Sequence, residues 1–246
     1  MSVQGRLAFI TGAGSGIGRA ASQCLAREGA IVIAADKNVE NAKETVNLLP
    51  KDNKHTSLQL SVENKDSVKL ALDTVIKAYL KPPSIIVNAA GITRDNFLNK
   101  LSEEDFSEVL DVNLKGTFLI LQTFANSIVE NNVQEASIIN VGSIVAKYGN
   151  IGQANYCASK AGVELLTKVA SREYSKKGIR VNTVLPGMIS TPMTAAVPEK
   201  VKAKFLTQIP LGRFGTAEEI AEVILFLASC RSSYVTGTSI EVTGGF

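Results

Sequence analysis

With 246 residues, 45% of them hydrophobic and 20% charged, the chain can bury the core of one large α/β domain or two small ones. A formal charge of +3, with lysines scattered rather than clustered, offers no basic stripe for nucleic acid, and no apolar run reaches the ~18 residues that a membrane span needs. One histidine and three widely separated cysteines argue against a Ser-His-Asp triad and against any Cys/His metal site.

Cys24, Cys157 and Cys230 read as reduced thiols used as small apolar residues. His55 lies in a polar stretch and is expected on a surface loop. The segment Met1-Ser2-Val3-Gln4-Gly5-Arg6 enters an apolar run almost at once, so no cleavable signal or transit segment is expected. Acid/base chemistry here must come from something other than histidine.

The first strand is expected at residues 7–11 and runs into Thr11-Gly12-Ala13-Gly14-Ser15-Gly16-Ile17-Gly18, followed by an amphipathic helix near 17–29. Glycines at 12, 16 and 18 permit a tight turn, close approach of the backbone to a pyrophosphate, and close packing of helix on strand. The helix start supplies free N–H groups and a positive dipole end for the anion. A second strand at 31–35 ends on Asp36, about 20 residues after the glycines, where a ribose-binding acid belongs. Its carboxylate favours the free ribose hydroxyls of NAD(H) over a 2′-phosphate, which would meet repulsion of order ~4 kcal/mol per charge pair at 4 Å. Lys37, beside it, could partly attract NADP(H).

A helix near 39–49, a strand at 57–60 and a helix near 65–80 lead to a strand at 84–87. A long helix is expected over 103–131, then a strand at 137–141 that delivers Ser143 to the carboxyl edge of the sheet, where α/β folds bind ligands. The helix near 155–177 carries Tyr156 and Lys160, four residues apart and so on one face. A free tyrosine titrates near pH ~10, and a neighbouring cation is expected to lower that value and make the phenol a usable acid/base. By itself Tyr-x-x-x-Lys is weak evidence, since a half-buried helix face with a snorkelling lysine has the same spacing.

After a strand at 180–185, residues 187–214 break the rhythm. Gly187, Pro192, Pro198, Pro210, Gly212 and Gly215 punctuate a helical segment around 199–207, which reads as a mobile lid. A helix near 217–229 and a strand at 239–242 complete the alternation. Continuous apolar strands alternating with helices specify an α/β, doubly wound Rossmann fold, a seven-stranded parallel sheet with helices on both faces, in one domain over residues 1–246.

Taken together, the Gly12/Gly16/Gly18 loop, Asn88-Ala89-Ala90-Gly91, Asn113, Ser143, Tyr156 with Lys160, and Pro186-Gly187 with Thr191 resemble the single-domain short-chain dehydrogenase/reductase family over essentially the whole chain. The resemblance implies that Tyr156 is general acid in carbonyl reduction and general base in alcohol oxidation. It implies that Lys160 lowers the phenol pKa and holds the nicotinamide ribose, that Ser143 holds the substrate oxygen, and that Asn113 supports a water-linked proton relay through a locally distorted helix. The cofactor contacts it implies are Gly12, Ser15, Gly16, Ile17 and Gly18 at the diphosphate, Asp36, Ser61 and Val62 at the adenosine, and Asn88, Ala90 and Gly91 beneath it. Pro186, Gly187, Ile189 and Thr191 join Tyr156 and Lys160 at the nicotinamide. Two positions depart from the family pattern: Ala89 stands where a second Asn is frequent, and Ser61-Val62 where an adenine-pocket Asp is.

Within the family, Ala90 to Asp95, Gly149 to Tyr156, Thr191 to Thr194 and Thr236 to Gly245 are similar to the branch containing 3-oxoacyl-ACP reductases and 17β-hydroxysteroid dehydrogenases. That likeness implies NAD and a hydroxysteroid or (3R)-3-hydroxyacyl thioester substrate. It also implies a homo- or heterotetramer with a related reductase subunit, built partly by the helices near 103–131 and 155–177. Its implied compartment is the mitochondrial matrix, with the cytoplasm as alternative. Lys176 and Lys177 could serve an acidic carrier protein, whereas 130–135 offers no base. Met188, Met193 and Phe205 in the lid fit either substrate or plain core. The reading from another class is a non-catalytic NAD-binding subunit, against which the complete Asn113, Ser143, Tyr156, Lys160 set argues.

Overall fold

A computed structural model of the chain describes residues 3–195 and 197–246. Strands β1 (Leu7–Thr11), β2 (Ile31–Asp36), β3 (Thr56–Gln59) and β4 (Ile85–Asn88) alternate with helices α1 (Gly16–Arg27), α2 (Val39–Asn47) and α3 (Lys65–Tyr79). Then follow α4 (Glu103–Leu110), α5 (Gly116–Glu130), β5 (Ala136–Val141), α6 (Val145–Tyr148), α7 (Ala154–Tyr174) and β6 (Ile179–Pro186). The remainder is β7 (Ile189–Ser190), α8 (Pro192–Ala195), α9 (Glu199–Leu206), β8 (Gly215–Thr216), α10 (Ala217–Ala228) and β9 (Ser239–Val242).

Seven strands form one sheet in the order β3-β2-β1-β4-β5-β6-β9, every pair parallel. The order reverses direction between β1 and β4, which opens a crevice at the carboxyl ends of those strands. Alternate residues of β1 feed the two cores: Ala8 and Ile10 pack with Leu25, Ile220 and Ile224 on one face, Leu7 and Phe9 with Val68, Leu72 and Ile120 on the other. That period of two, with both faces buried, is why β1, β2 and β4 read as nearly unbroken apolar runs, unlike the part-exposed edge strands β3 and β9. Phe9 meets Phe124 with ring centroids 4.4 Å apart, fastening α5 to the centre of the sheet. Side-chain caps set the helix starts: Asn38 for α2, Asn64 for α3, Ser102 for α4, and a Thr216/Glu219 capping box for α10.

Two expectations gain structural detail. The local distortion expected at Asn113 within the 103–131 helical span is a π-helical turn at Asp111–Lys115, which separates α4 from α5. Its wider turn carries the fully buried Asn113 inward, where the side chain bonds the backbone of Ile92. His55 lies in the loop before β3, as expected, and is partly exposed there but hydrogen-bonded on both ring nitrogens. Its Nδ1 accepts the Val32 N–H at 3.0 Å while Nε2 lies 3.1 Å from the Pro50 carbonyl oxygen, so the ring joins β2 to the loop before β3.

The 187–214 excursion is clipped at its base, where β7 pairs in parallel with β8. Its far end rests on the chain terminus: Leu211 N–H donates to Gly244 O, and the Phe205 and Phe246 rings lie 6.0 Å apart.

Candidate active site

The carboxyl edge of the sheet opens into a cleft of about 520 Å³, a volume usual for a small-molecule or cofactor site. Its floor is made where two strand ends interlock. The Thr11 hydroxyl accepts the Ala89 and Ala90 N–H groups at 3.2 and 3.1 Å, and a Cβ on Gly12 would lie 2.8 Å from Ala90 Cα. Gly12 has φ +63, and a Cβ on Gly18 would collide with the Gly12 carbonyl oxygen. The turn therefore closes only with glycine at these two places. Ser15, at the start of α1, makes no side-chain cap bond, and no acid occupies the first turn. The leading N–H groups of a 12-residue helix thus face the cleft with an anion-favouring dipole.

Asp36 sits at one end of the cleft. Its carboxylate accepts Gly14 N–H and Asn38 N–H, both at 2.9 Å, which fixes its orientation into the cleft beside Lys37. The glycine cradle at Gly12–Gly18, the leading N–H donors of α1 and the oriented Asp36 fit a dinucleotide's diphosphate and ribose diol.

At the opposite end stand Ser143, Tyr156 and Lys160. Ser143 Oγ caps the turn into α6, accepting Val145 N–H at 3.4 Å. Tyr156 is half-buried on the first turn of α7, and Lys160 is buried one turn on. Lys160 Nζ donates to the Val141 carbonyl at 2.8 Å and lies 5.7 Å from the Tyr156 ring centroid.

This geometry overturns the expected direction of the tyrosine shift. Burial pushes the Tyr156 phenol up to about 12, with the Ser143 hydroxyl opposing it, and burial pushes Lys160 down to about 8. The physical reason is desolvation. Both groups sit in the same poorly hydrated pocket, which disfavours the phenolate and the ammonium alike.

Most of the expected cofactor residues line the cleft: Gly12, Ser15, Gly16, Ile17, Gly18, Asp36, Val62, Ala90, Gly91, Pro186, Gly187, Ile189 and Thr191, with Tyr156 and Lys160. Three site residues do not reach its wall. Asn88 turns inward at the end of β4, its amide donating to Asn140 Oδ1 at 2.8 Å, which leaves its own buried Oδ1 without a partner. Ser61 is held by its N–H donating to Ser67 Oγ, so Leu60, Val62 and Glu63 line that end instead. Asn113 lies behind Ile92, accepting its N–H at 2.8 Å and donating to its carbonyl at 3.0 Å and to Ser159 Oγ at 3.1 Å.

Arg94 and Glu108, which sequence reasoning did not single out, meet at the cleft wall in a two-bond ion pair, with both nitrogen–oxygen distances 2.9 Å. They are 14 positions apart in a loop and a helix, so no periodicity or spacing connects them.

The sequence profile of a family described as Enoyl-(Acyl carrier protein) reductase matches residues 12–246. A (3R)-3-hydroxyacyl-CoA dehydrogenase of Homo sapiens is 51% identical, the match covering 97% of this chain and 94% of that protein. A 3-oxoacyl-[acyl-carrier-protein] reductase of Thermotoga maritima is 46% identical over 100% of this chain and 99% of its own. Among solved structures, a protein from Agrobacterium tumefaciens provisionally named 2-deoxy-d-gluconate 3-dehydrogenase, with NADP bound, superposes with a TM-score of 0.90. It is 34% identical, with 99% of this chain and 97% of that chain covered.

Proposed function

The chain belongs to the short-chain dehydrogenase/reductase family and is a nicotinamide-dependent oxidoreductase of CH–OH groups; within that class we propose that it interconverts (3R)-3-hydroxyacyl and 3-oxoacyl thioesters with NAD(H). The observation that carries the chemistry is the placement of Tyr156 beside Ser143 and above Lys160 at one end of a cleft whose other end holds Asp36. Relatives of about half identity that are named for 3-hydroxyacyl-CoA and 3-oxoacyl-carrier substrates support the thioester.

Tyr156 gives its phenolic proton to the substrate oxygen in reduction and recovers it in oxidation. With its pKa raised, the phenol is neutral at pH 7, which is the acid form that carbonyl reduction requires. Ser143 holds the same oxygen and orients it towards the phenol. Lys160, as ammonium, offsets the charge left on Tyr156 after proton donation. Asn113 holds the Gly91–Ile92 turn under the site through its bonds to Ile92. The bound dinucleotide supplies or takes the hydride, and the protein contributes orientation and proton transfer. The clipped 187–214 excursion, which places Thr191 and Met193 on the cleft wall, serves as substrate lid.

The exposed Leu165 and Val169 on α7 and Phe118 on α5 supply apolar faces for a tetramer of this chain or with a related subunit. A hydroxysteroid is the second substrate reading, favoured by the apolar Met193 and Ile92 on the wall.

The test is steady-state reduction of acetoacetyl-CoA with NADH, beside oxidation of estradiol with NAD. The thioester should carry the higher kcat/KM, and Tyr156→Phe should lower it by ~10²–10⁴-fold. Turnover that survives Tyr156→Phe would reject the assignment, and a wild-type chain inactive on every substrate would favour a non-catalytic subunit.

A further inference from the structure

The helix that carries Tyr156 begins poorly. Gln153, at the N-cap of α7, makes no side-chain cap bond and has φ −124 and ψ 37. The first turn of that helix is secured by the next polar residue along. Asn155 is completely buried, and its Oδ1 accepts the backbone N–H of Tyr156 at 2.8 Å. Its Nδ2 donates to the Arg94 carbonyl at 2.9 Å and to the Asp105 carbonyl at 3.3 Å. One amide group thus joins three elements: the loop after β4, the first turn of α4, and the start of α7.

The loop it grips is held at other points. Arg94 Nε and Nη2 pair with the Glu108 carboxylate, each at 2.9 Å. Asn96 N–H donates to Gly152 O at 2.8 Å, and Gln153 Nε2 donates to Asp95 Oδ2 at 2.9 Å. Residues 94–96 therefore form a splint along the turn into α7, and Asn155 is its buried pin. The pin needs a donor and an acceptor on one short side chain. Aspartate keeps the acceptor alone, and leucine keeps neither.

We propose that Asn155 is a positioning residue for Tyr156, setting the pitch of the first turn of α7 so that the phenol meets the substrate oxygen. The proposal rests on Tyr156 as the acid/base group. A displacement of order ~1 Å at a reacting group lowers rate by about 10²-fold, so a loosened pin is read in kcat and not in cofactor affinity. The glycine cradle and Asp36, which set that affinity, lie at the other end of the cleft.

The experiment compares Asn155→Asp and Asn155→Ser with wild type and Tyr156→Phe, using acetoacetyl-CoA and NADH. In Asn155→Asp the Arg94 and Asp105 carbonyls lose their donor and face a carboxylate. Its kcat should fall ~10–100-fold while the NADH Kd, titrated by fluorescence, stays within about twofold. The descending limb of its kcat/KM profile should move to higher pH, because a carboxylate within the first turns of α7 disfavours the phenolate and favours the Lys160 ammonium. Asn155→Ser, with a shorter donor and acceptor, should fall between the two.

Wild-type kcat per folded active site with an unchanged pH profile overturns the proposal, even if Tm drops. Failure of both variants to fold also overturns it, since Asn155 then holds the fold and not the phenol. An inactive Tyr156→Phe beside fully active Asn155 variants rejects this inference alone. An active Tyr156→Phe rejects the acid/base reading beneath it.

Discussion

Replacing Asp36 with Asn removes one charge from the adenosine end of the cleft while keeping the side chain's size. A 2′-phosphate placed at ~4 Å from the carboxylate meets ~4 kcal/mol of repulsion per charge pair at an effective dielectric of 20, and ~1 kcal/mol in bulk water. Asp36 is half-buried at the edge of an open cleft, so the operative value falls between these limits. An intermediate ~1.5–3 kcal/mol corresponds to ~10–100-fold in kcat/KM for NADPH. NADPH should gain by that factor, whereas NADH should lose about two- to tenfold, because only one side-chain oxygen remains to accept from the ribose.

The substitution also disturbs the fold locally. Asp36 accepts two backbone N–H groups, Gly14 and Asn38, and the amide can serve only one of them. A loss of ~1–2 kcal/mol is expected, read as a Tm lower by about 2–8 °C. The assay is initial-rate kinetics with both cofactors at fixed acetoacetyl-CoA, repeated at low and high salt. The gain for NADPH should be larger at low ionic strength, where the lost repulsion was least screened. A wild-type preference for NADPH, or an NADH/NADPH ratio unmoved by Asp36→Asn, would refute the electrostatic account and put Lys37 in its place.

Gly18→Ala should abolish dinucleotide binding rather than merely weaken it, because the new Cβ runs into the Gly12 carbonyl oxygen and the phosphate turn cannot close; equilibrium titration with NADH checks this. Lys160, held down to about 8 by burial, should give kcat/KM for reduction a descending limb as pH rises through about 8, since the ammonium that offsets the phenolate is then lost. Lys160→Arg keeps its charge and should lose that limb. His55 is held below its usual value of 6.5 by burial, so the unfolded chain takes up its proton first as pH falls. Its contribution to stability is complete above pH 6.5 and declines as the pH drops through the lowered native value, and His55→Gln should flatten the Tm profile in that window.

Periodicity and turn chemistry were enough to place the seven strands of the sheet within a residue or two: inner strands such as β1, β2 and β4, buried on both faces, must be apolar at consecutive positions, and the part-exposed edge strands β3 and β9 followed from the alternation with helices. The glycine turn, Asp36, Ser143 and the Tyr156/Lys160 pair were legible for a related reason, in that each depends on local spacing or on a place at a strand end. Three-dimensional proximity decided the rest. The π-turn at Asp111–Lys115 forms where Asn113 finds the Ile92 backbone, 21 residues away. The pin at Asn155 exists only because the Arg94 and Asp105 carbonyls arrive beside it, 61 and 50 residues distant in sequence. The tyrosine–lysine spacing was determined by the sequence, but its electrostatics were not. Whether a cation lowers a phenol's pKa or shares its desolvation depends on how much water the folded cleft admits, and here burial is the largest influence on Tyr156 and sets the direction for Lys160.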